Sequence, residues 1–181
     1  MTLARRMAGN LLMIGACAAL LTLYIQRRQE QRLRMDLCVR AQASCLGPSL
    51  GQEQVLIDLL AKPRRGKADR AAALALLRGL RDCWRFAGDL RADAPDDGFF
   101  LPLHQSGIWV MQSVQVADDA IHFDPGRDAG MLRTALDGLR GNLREQRRNL
   151  LAFAGACRAL PWTPAQAAAL DQWAQSLQPG R

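Results

Sequence analysis

Between Leu132 and Leu160 the chain places Leu132, Leu136, Leu139, Leu143, Gln146, Leu150, Phe153, Cys157 and Leu160 at spacings that alternate four and three without a slip. Such a seam, sustained for about four heptads, predicts a helix of roughly 30 residues packed lengthwise against its neighbours. Gln146 is its one polar member. Arg133, Arg140, Arg144 and Arg147 fall on other faces and read as solvated charge. Asp124-Pro125-Gly126 is a turn ahead of this helix, and Pro161 ends it. Thr163 followed by Pro164 reads as the N-cap and first residue of a last helix running through Leu170, Trp173 and Leu177.

Upstream the same period predicts two further helices. Ser49 can cap a short one through about Ala61, with Val55, Leu56, Leu59 and Leu60 as its apolar face. After the basic loop KPRRGK, residues 62 to 67, a longer helix from about Ala68 to Ala92 carries Ala73, Leu76, Leu80, Cys83, Ala87 and Leu90 as its seam. The loop reads as solvated, because a phosphate cradle needs a glycine-rich turn after a strand. The acidic stretch RADAPDDG fails the calcium-loop pattern, since counting from Asp93 puts Pro95 third and His104 where the bidentate Glu belongs. From Phe99 to Phe123 the pattern is mixed; Ile108, Met111 and Gln115 fit a helix, whereas a lone strand would have no partner.

The N-terminus has another pattern. Met7 to Ile25 is nineteen residues without a charge. At about 1.5 Å per residue such a helix reaches close to the roughly 30 Å hydrocarbon thickness of a bilayer. Arg5 and Arg6 precede it, Arg27 and Arg28 follow it, and Tyr24 is an interfacial anchor. A transmembrane helix is expected here. The run ends in Leu23, Tyr24, Ile25 and Gln26, which is a poor signal-peptidase site. Ile14-Gly15-Ala16-Cys17 resembles a lipobox, but the apolar run continues past Cys17, which favours a small thiol inside a helix over a lipidated cysteine. Gly15 and Ala19 form a small-xxx-small pair that would let a second membrane helix approach; lipid-facing filler is the ordinary reading.

These patterns define an all-α chain. A tail (1–6) precedes the transmembrane helix (7–25), which continues as a helical stalk (26–46) until Gly47 and Pro48 stop it. An antiparallel bundle of about four to five helices (47–178), packed with the stalk, and a short tail (179–181) complete it. Composition agrees: hydrophobic residues are 49%, charged residues 23% and aromatics 6%, so roughly 150 residues can fold as one Ala- and Leu-rich domain. The net charge of +7 comes from 24 basic against 17 acidic residues. Only Lys62 and Lys67 are lysines, a bias that genomic base composition can produce, so no nucleic-acid partner is inferred. Arg27, Arg28, Arg32 and Arg34 beside the span suit anionic lipid head groups.

Those arginines favour a cytoplasmic domain; the cysteines favour the opposite side. Cys38 and Cys45 share one face of the stalk helix, while Cys83 and Cys157 sit in seams. Along a continuous helix Cys38 and Cys45 are about 10.5 Å apart, beyond the roughly 7 Å limit for a disulfide. Two complete pairings of these four remain, each joining one stalk cysteine to Cys83 and the other to Cys157. Either needs an oxidising compartment, in a bacterium the periplasm, and the alternative is four buried thiols in a reducing cytoplasm. The disulfide reading places the protein in a bacterial inner membrane with a periplasmic domain.

No catalytic, cofactor or metal motif emerges. His104 and His122 are the only histidines and have no ligand-like neighbours in sequence, and a cysteine nucleophile would need one of them beside it. The expectation is a non-enzymatic, membrane-anchored helical accessory subunit of a larger membrane assembly. Its alternative is a periplasmic sensor or apolar-ligand-binding module that responds to redox state through its cysteines.

Overall fold

The structure, a computed structural model, describes the backbone of residues 3–92 and 98–178 and the side chains of residues 13–86, 88–89 and 98–178. Its regular elements are six helices: α1 (Leu3–Gln42), α2 (Leu46–Leu60), α3 (Lys67–Ala92), α4 (Leu101–His122), α5 (Ala129–Arg158) and α6 (Pro164–Ser176). No strand occurs among the described residues. The expected loop RADAPDDG falls largely on residues 93–97, outside them.

The chain divides into two compact units, Met1–Asp36 and Leu37–Arg181, with the boundary inside α1. In the first unit every residue from Met13 to Leu33 is exposed, Gly15, Cys17 and Ala19 included. Among the described residues no helix is long and apolar enough to cross a membrane. The expected span from Met7 to Ile25 lies only partly within them, because the side chains of residues 7–12 are outside the description.

In the second unit α2 packs on α3 and α5, and α4 packs on α3 and α5, so these four helices close a ring; α6 lies against α5. From α2 onward each helix packs on the next in sequence. Leu37, Cys38 and Ala41, in the closing turns of α1, are buried in the same core. The α5 seam is buried from Leu132 through Cys157, as its spacing requires, while Leu160 lies past the helix end and is partly buried.

Several details differ from the sequence expectation. Gly47 and Pro48 do not separate two helices; they lie in the first turn of α2, where a missing proline N–H costs nothing because that donor has no intrahelical acceptor. The stalk helix stops at Gln42, so Cys45 leaves α1 and occupies the N-cap position of α2. Ser49 is therefore no cap: it is fully buried, and its hydroxyl donates to the Leu46 carbonyl at 2.7 Å. Val55, assigned to the apolar face of α2, is half exposed, and Ile57 is buried instead. On α3 Leu77 is buried beside the expected Ala73, Leu80 and Cys83, whereas Leu76 is partly exposed; the side chains of Ala87 and Leu90 are outside the description. The 101–122 stretch is helical as expected, but its buried face is Leu103, Ser106, Val110, Ser113, Ala117 and Ala120, while Gln115 is exposed.

Local chemistry sets the ends. Asp124 accepts from the N–H groups of Gly126 and Arg127, both at 2.9 Å, and makes the turn into α5. Thr163 and Gln166 form a reciprocal capping box on α6. The basic loop is not wholly solvated: the Arg65 guanidinium donates to the carbonyls of Ala120 (3.0 Å) and Phe123, closing the C-terminal end of α4.

Candidate functional site

Seam positions normally carry apolar side chains, yet the second unit buries a polar layer in its centre. Gln146 on α5 is fully buried, and its Nε2 donates to Ser49 Oγ on α2 at 2.8 Å. One turn further along α2, Glu53 is also fully buried, and its Oε1 accepts from the Ser113 hydroxyl on α4. Ser106 and Asn149 are buried as well. Ser49 and Glu53 are four residues apart, Ser106 and Ser113 seven, and Gln146 and Asn149 three, so each set shares one helix face.

An ionised carboxylate is poorly tolerated in such a place. Burial pushes the Glu53 carboxyl up to about 7, against the opposing effects of the Ser113 hydrogen bond and the positive charge of Arg147. Glu53 therefore titrates near neutrality. Its second oxygen, Oε2, is buried without a hydrogen-bond partner among the described residues, as is Oε1 of Gln146. Arg147, expected as solvated charge, is half-buried and faces this carboxyl electrostatically. A carboxyl with no exposed surface can hold or release a proton, but it is not placed to exchange one with a substrate.

The cysteines form a second cluster, at the α1/α2 turn. Cys38 and Cys157 are disulfide-bonded with their α-carbons 6.0 Å apart, tying the closing turns of α1 to the last turn of α5. Phe153, one turn before Cys157, holds Phe99, Phe100 and Trp173 around it at centroid distances of 5.9, 6.1 and 6.4 Å. Gln42 Nε2 donates to the Ala169 carbonyl at 3.0 Å, which also fastens the end of α1 to α6. Cys45 and Cys83 are free thiols, the first half-buried and the second buried. Burial, and then the neighbouring Cys45 thiol, push the Cys83 thiol well above the ordinary thiol range, with Ser49 acting in the opposite direction. Both thiols line an open concavity of about 480 Å³ together with Arg40, Asp82 and Phe86.

The remaining candidates are not brought together. His104 lines a concavity of about 430 Å³ with Trp84 and Met111, and His122 is exposed at the end of α4. No group of three or more His, Cys, Asp or Glu among the described residues is placed to hold a metal ion. Arg27, Arg28 and Arg32 are exposed and Arg34 is half-buried.

Reading the chain alone missed Glu53 and Ser113, although both carry a signal. Glu53 precedes Leu56, Ile57 and Leu60 at seam spacing, and Ser113 sits in a run from Leu103 to Ala120 that alternates three and four. No family model, no curated protein and no solved structure matches this chain.

Proposed function

We propose that this chain is a single-pass membrane-anchored, non-enzymatic helical subunit of a larger membrane assembly, in a bacterial inner membrane with its bundle on the periplasmic side. The observation that carries the reading is the helix surface from Met13 to Ile25. Met13, Ile14, Leu20, Leu21, Leu23, Tyr24 and Ile25 are all exposed, between 46% and 67%, and the opposite face carries the uncharged Gly15, Ala18, Ala19 and Thr22. A helix apolar all round belongs in a bilayer or among other apolar helices. In sequence the uncharged run extends back to Met7, to a length that spans. Gly15 and Ala19 are the positions at which a partner helix would approach, and Arg27, Arg28, Arg32 and Arg34 would meet anionic head groups. The Cys38–Cys157 disulfide supports the oxidising side as the home of the bundle.

Membrane fractionation followed by sizing in mild detergent tests the proposal. The chain should stay with membranes after an alkaline carbonate wash and should migrate with other membrane proteins. Release by the wash overturns the anchor, and recovery as a lone monomer overturns the accessory role.

One observation favours the second reading, a module that binds an apolar ligand. Between α4 and α5 an open concavity of about 740 Å³ is lined by Val116, Phe123, Met131, Thr134 and Ala135 among others. Saturable binding of a fluorescent apolar probe that Met131→Asp abolishes would support it.

A further inference from the structure

We propose that Cys45 and Cys83 form an oxidisable dithiol, a site that reacts with an incoming disulfide by thiol–disulfide exchange and closes into a second intramolecular bridge. Their shared place in the lining of one open concavity carries the inference. Once Cys38 is bonded to Cys157, Cys45 and Cys83 are each other's neighbours at the junction of the α1/α2 turn with α3.

The two thiols are unequal. Cys45 is the more exposed, so it is the one an incoming disulfide can reach; Cys83 is buried behind it at 1% exposure. As a thiolate, Cys45 attacks one sulfur of a disulfide R–S–S–R, making a Cys45–S–S–R mixed disulfide and releasing the first RS group, which leaves as RSH. The Cys83 sulfur then attacks the Cys45 sulfur, forming Cys45–S–S–Cys83 and releasing the second RSH. Two electrons pass from the protein thiols to the incoming disulfide, and the two thiol protons leave on the two RSH molecules. The oxidant is thus any disulfide small or open enough to meet Cys45, whether a low-molecular-weight one or that of a dithiol oxidoreductase.

Once closed, the bridge joins the N-terminus of α2 to α3.

The site does not depend on the membrane anchor, and it depends on the oxidising compartment only for its oxidant. The test uses the full chain in mild detergent, treated with oxidised glutathione and then with an alkylating reagent, digested without reduction and analysed by mass spectrometry. The expected result is a linked Cys45–Cys83 peptide and complete loss of both from the alkylated pool. In Cys83→Ser a glutathione adduct should persist on Cys45; in Cys45→Ser, Cys83 should take up no glutathione. Alkylation of both thiols to the same extent with and without oxidant overturns the proposal. So does a persistent Cys45 adduct in the unsubstituted chain, or linkage of Cys45 to Cys17 or to a second chain. A linked Cys45–Cys83 peptide from a protein whose freshly isolated form has Cys38 and Cys157 unlinked supports this site and overturns the compartment assignment instead.

Discussion

The hydroxyl of Ser113 on α4 donates to Oε1 of Glu53 on α2, and neither residue has any exposed surface. The bond spans two helices on opposite sides of the ring, which otherwise meet directly over only a short contact. It also leaves the second carboxyl oxygen of Glu53 unpartnered among the described residues, in surroundings that favour the neutral acid.

Stability should therefore fall as pH rises. The folded-state value of about 7 lies above the ordinary 4.5, so from pH 4.5 upward the unfolded chain gives up this proton while the folded chain keeps it. The folded state binds more protons, which makes the slope of unfolding free energy against pH negative; the loss accumulates between 4.5 and 7 and then levels off. Its full size is about 3 kcal/mol at roughly 1.4 kcal/mol per pH unit. Glu53→Gln keeps an acceptor for Ser113 and should flatten this part of the profile, giving a variant more stable than the parent at pH 8. Urea titrations at pH 5 and pH 8 measure it, and an unchanged slope in the variant would show that Glu53 is not its source.

Gln146 and Ser49 should behave as a coupled pair. Ser49→Ala leaves the Gln146 amide buried without its acceptor, at a cost of about 1 to 3 kcal/mol. Ser49→Ala combined with Gln146→Leu replaces both partners by apolar groups and should recover most of that loss. A double-mutant cycle in chemical denaturation gives the coupling; strict additivity would mean that the hydrogen bond contributes nothing.

Removing the Cys38–Cys157 bridge should be costly because of the chain it closes. With the partners 119 positions apart in sequence, the chain-entropy relation gives about 5 kcal/mol. The double substitution to Ser should shift the thermal midpoint strongly downward. The unsubstituted protein should melt lower with reductant than without, a comparison that holds even if the variant does not accumulate.

At the start of α6, Thr163→Ala removes the side-chain acceptor of the capping box and should destabilise by about 1 kcal/mol. Thr163→Ser should restore nearly all of it. Amide exchange over Pro164–Ser176 reads the local effect, since the change should quicken exchange there and leave α3 unaffected.

What the chain determines by itself is what repeats or ends locally. The alternation from Leu132 to Cys157 specifies the long helix and its buried face, because a helix returns to the same side every three and four residues. Thr163, Pro164 and Gln166 specify the start of α6 through bonds that close within one turn.

Only the tertiary arrangement decides the bridges: Cys38 bonds Cys157 because of which helix the end of α1 meets, while Cys45 and Cys83 stay free, so neither of the two complete pairings forms. It also makes Pro48 a first-turn residue rather than a stop, and turns Arg65 from a loop cation into the cap of α4. Glu53 shows the division most clearly. Its spacing places it on the buried stripe of α2, but its raised pKa comes from burial among the other helices, against the opposing effects of Ser113 and Arg147, sixty and more residues away. Seam spacing is a property of one helix; the burial that neutralises a carboxyl is a property of several helices packed around it.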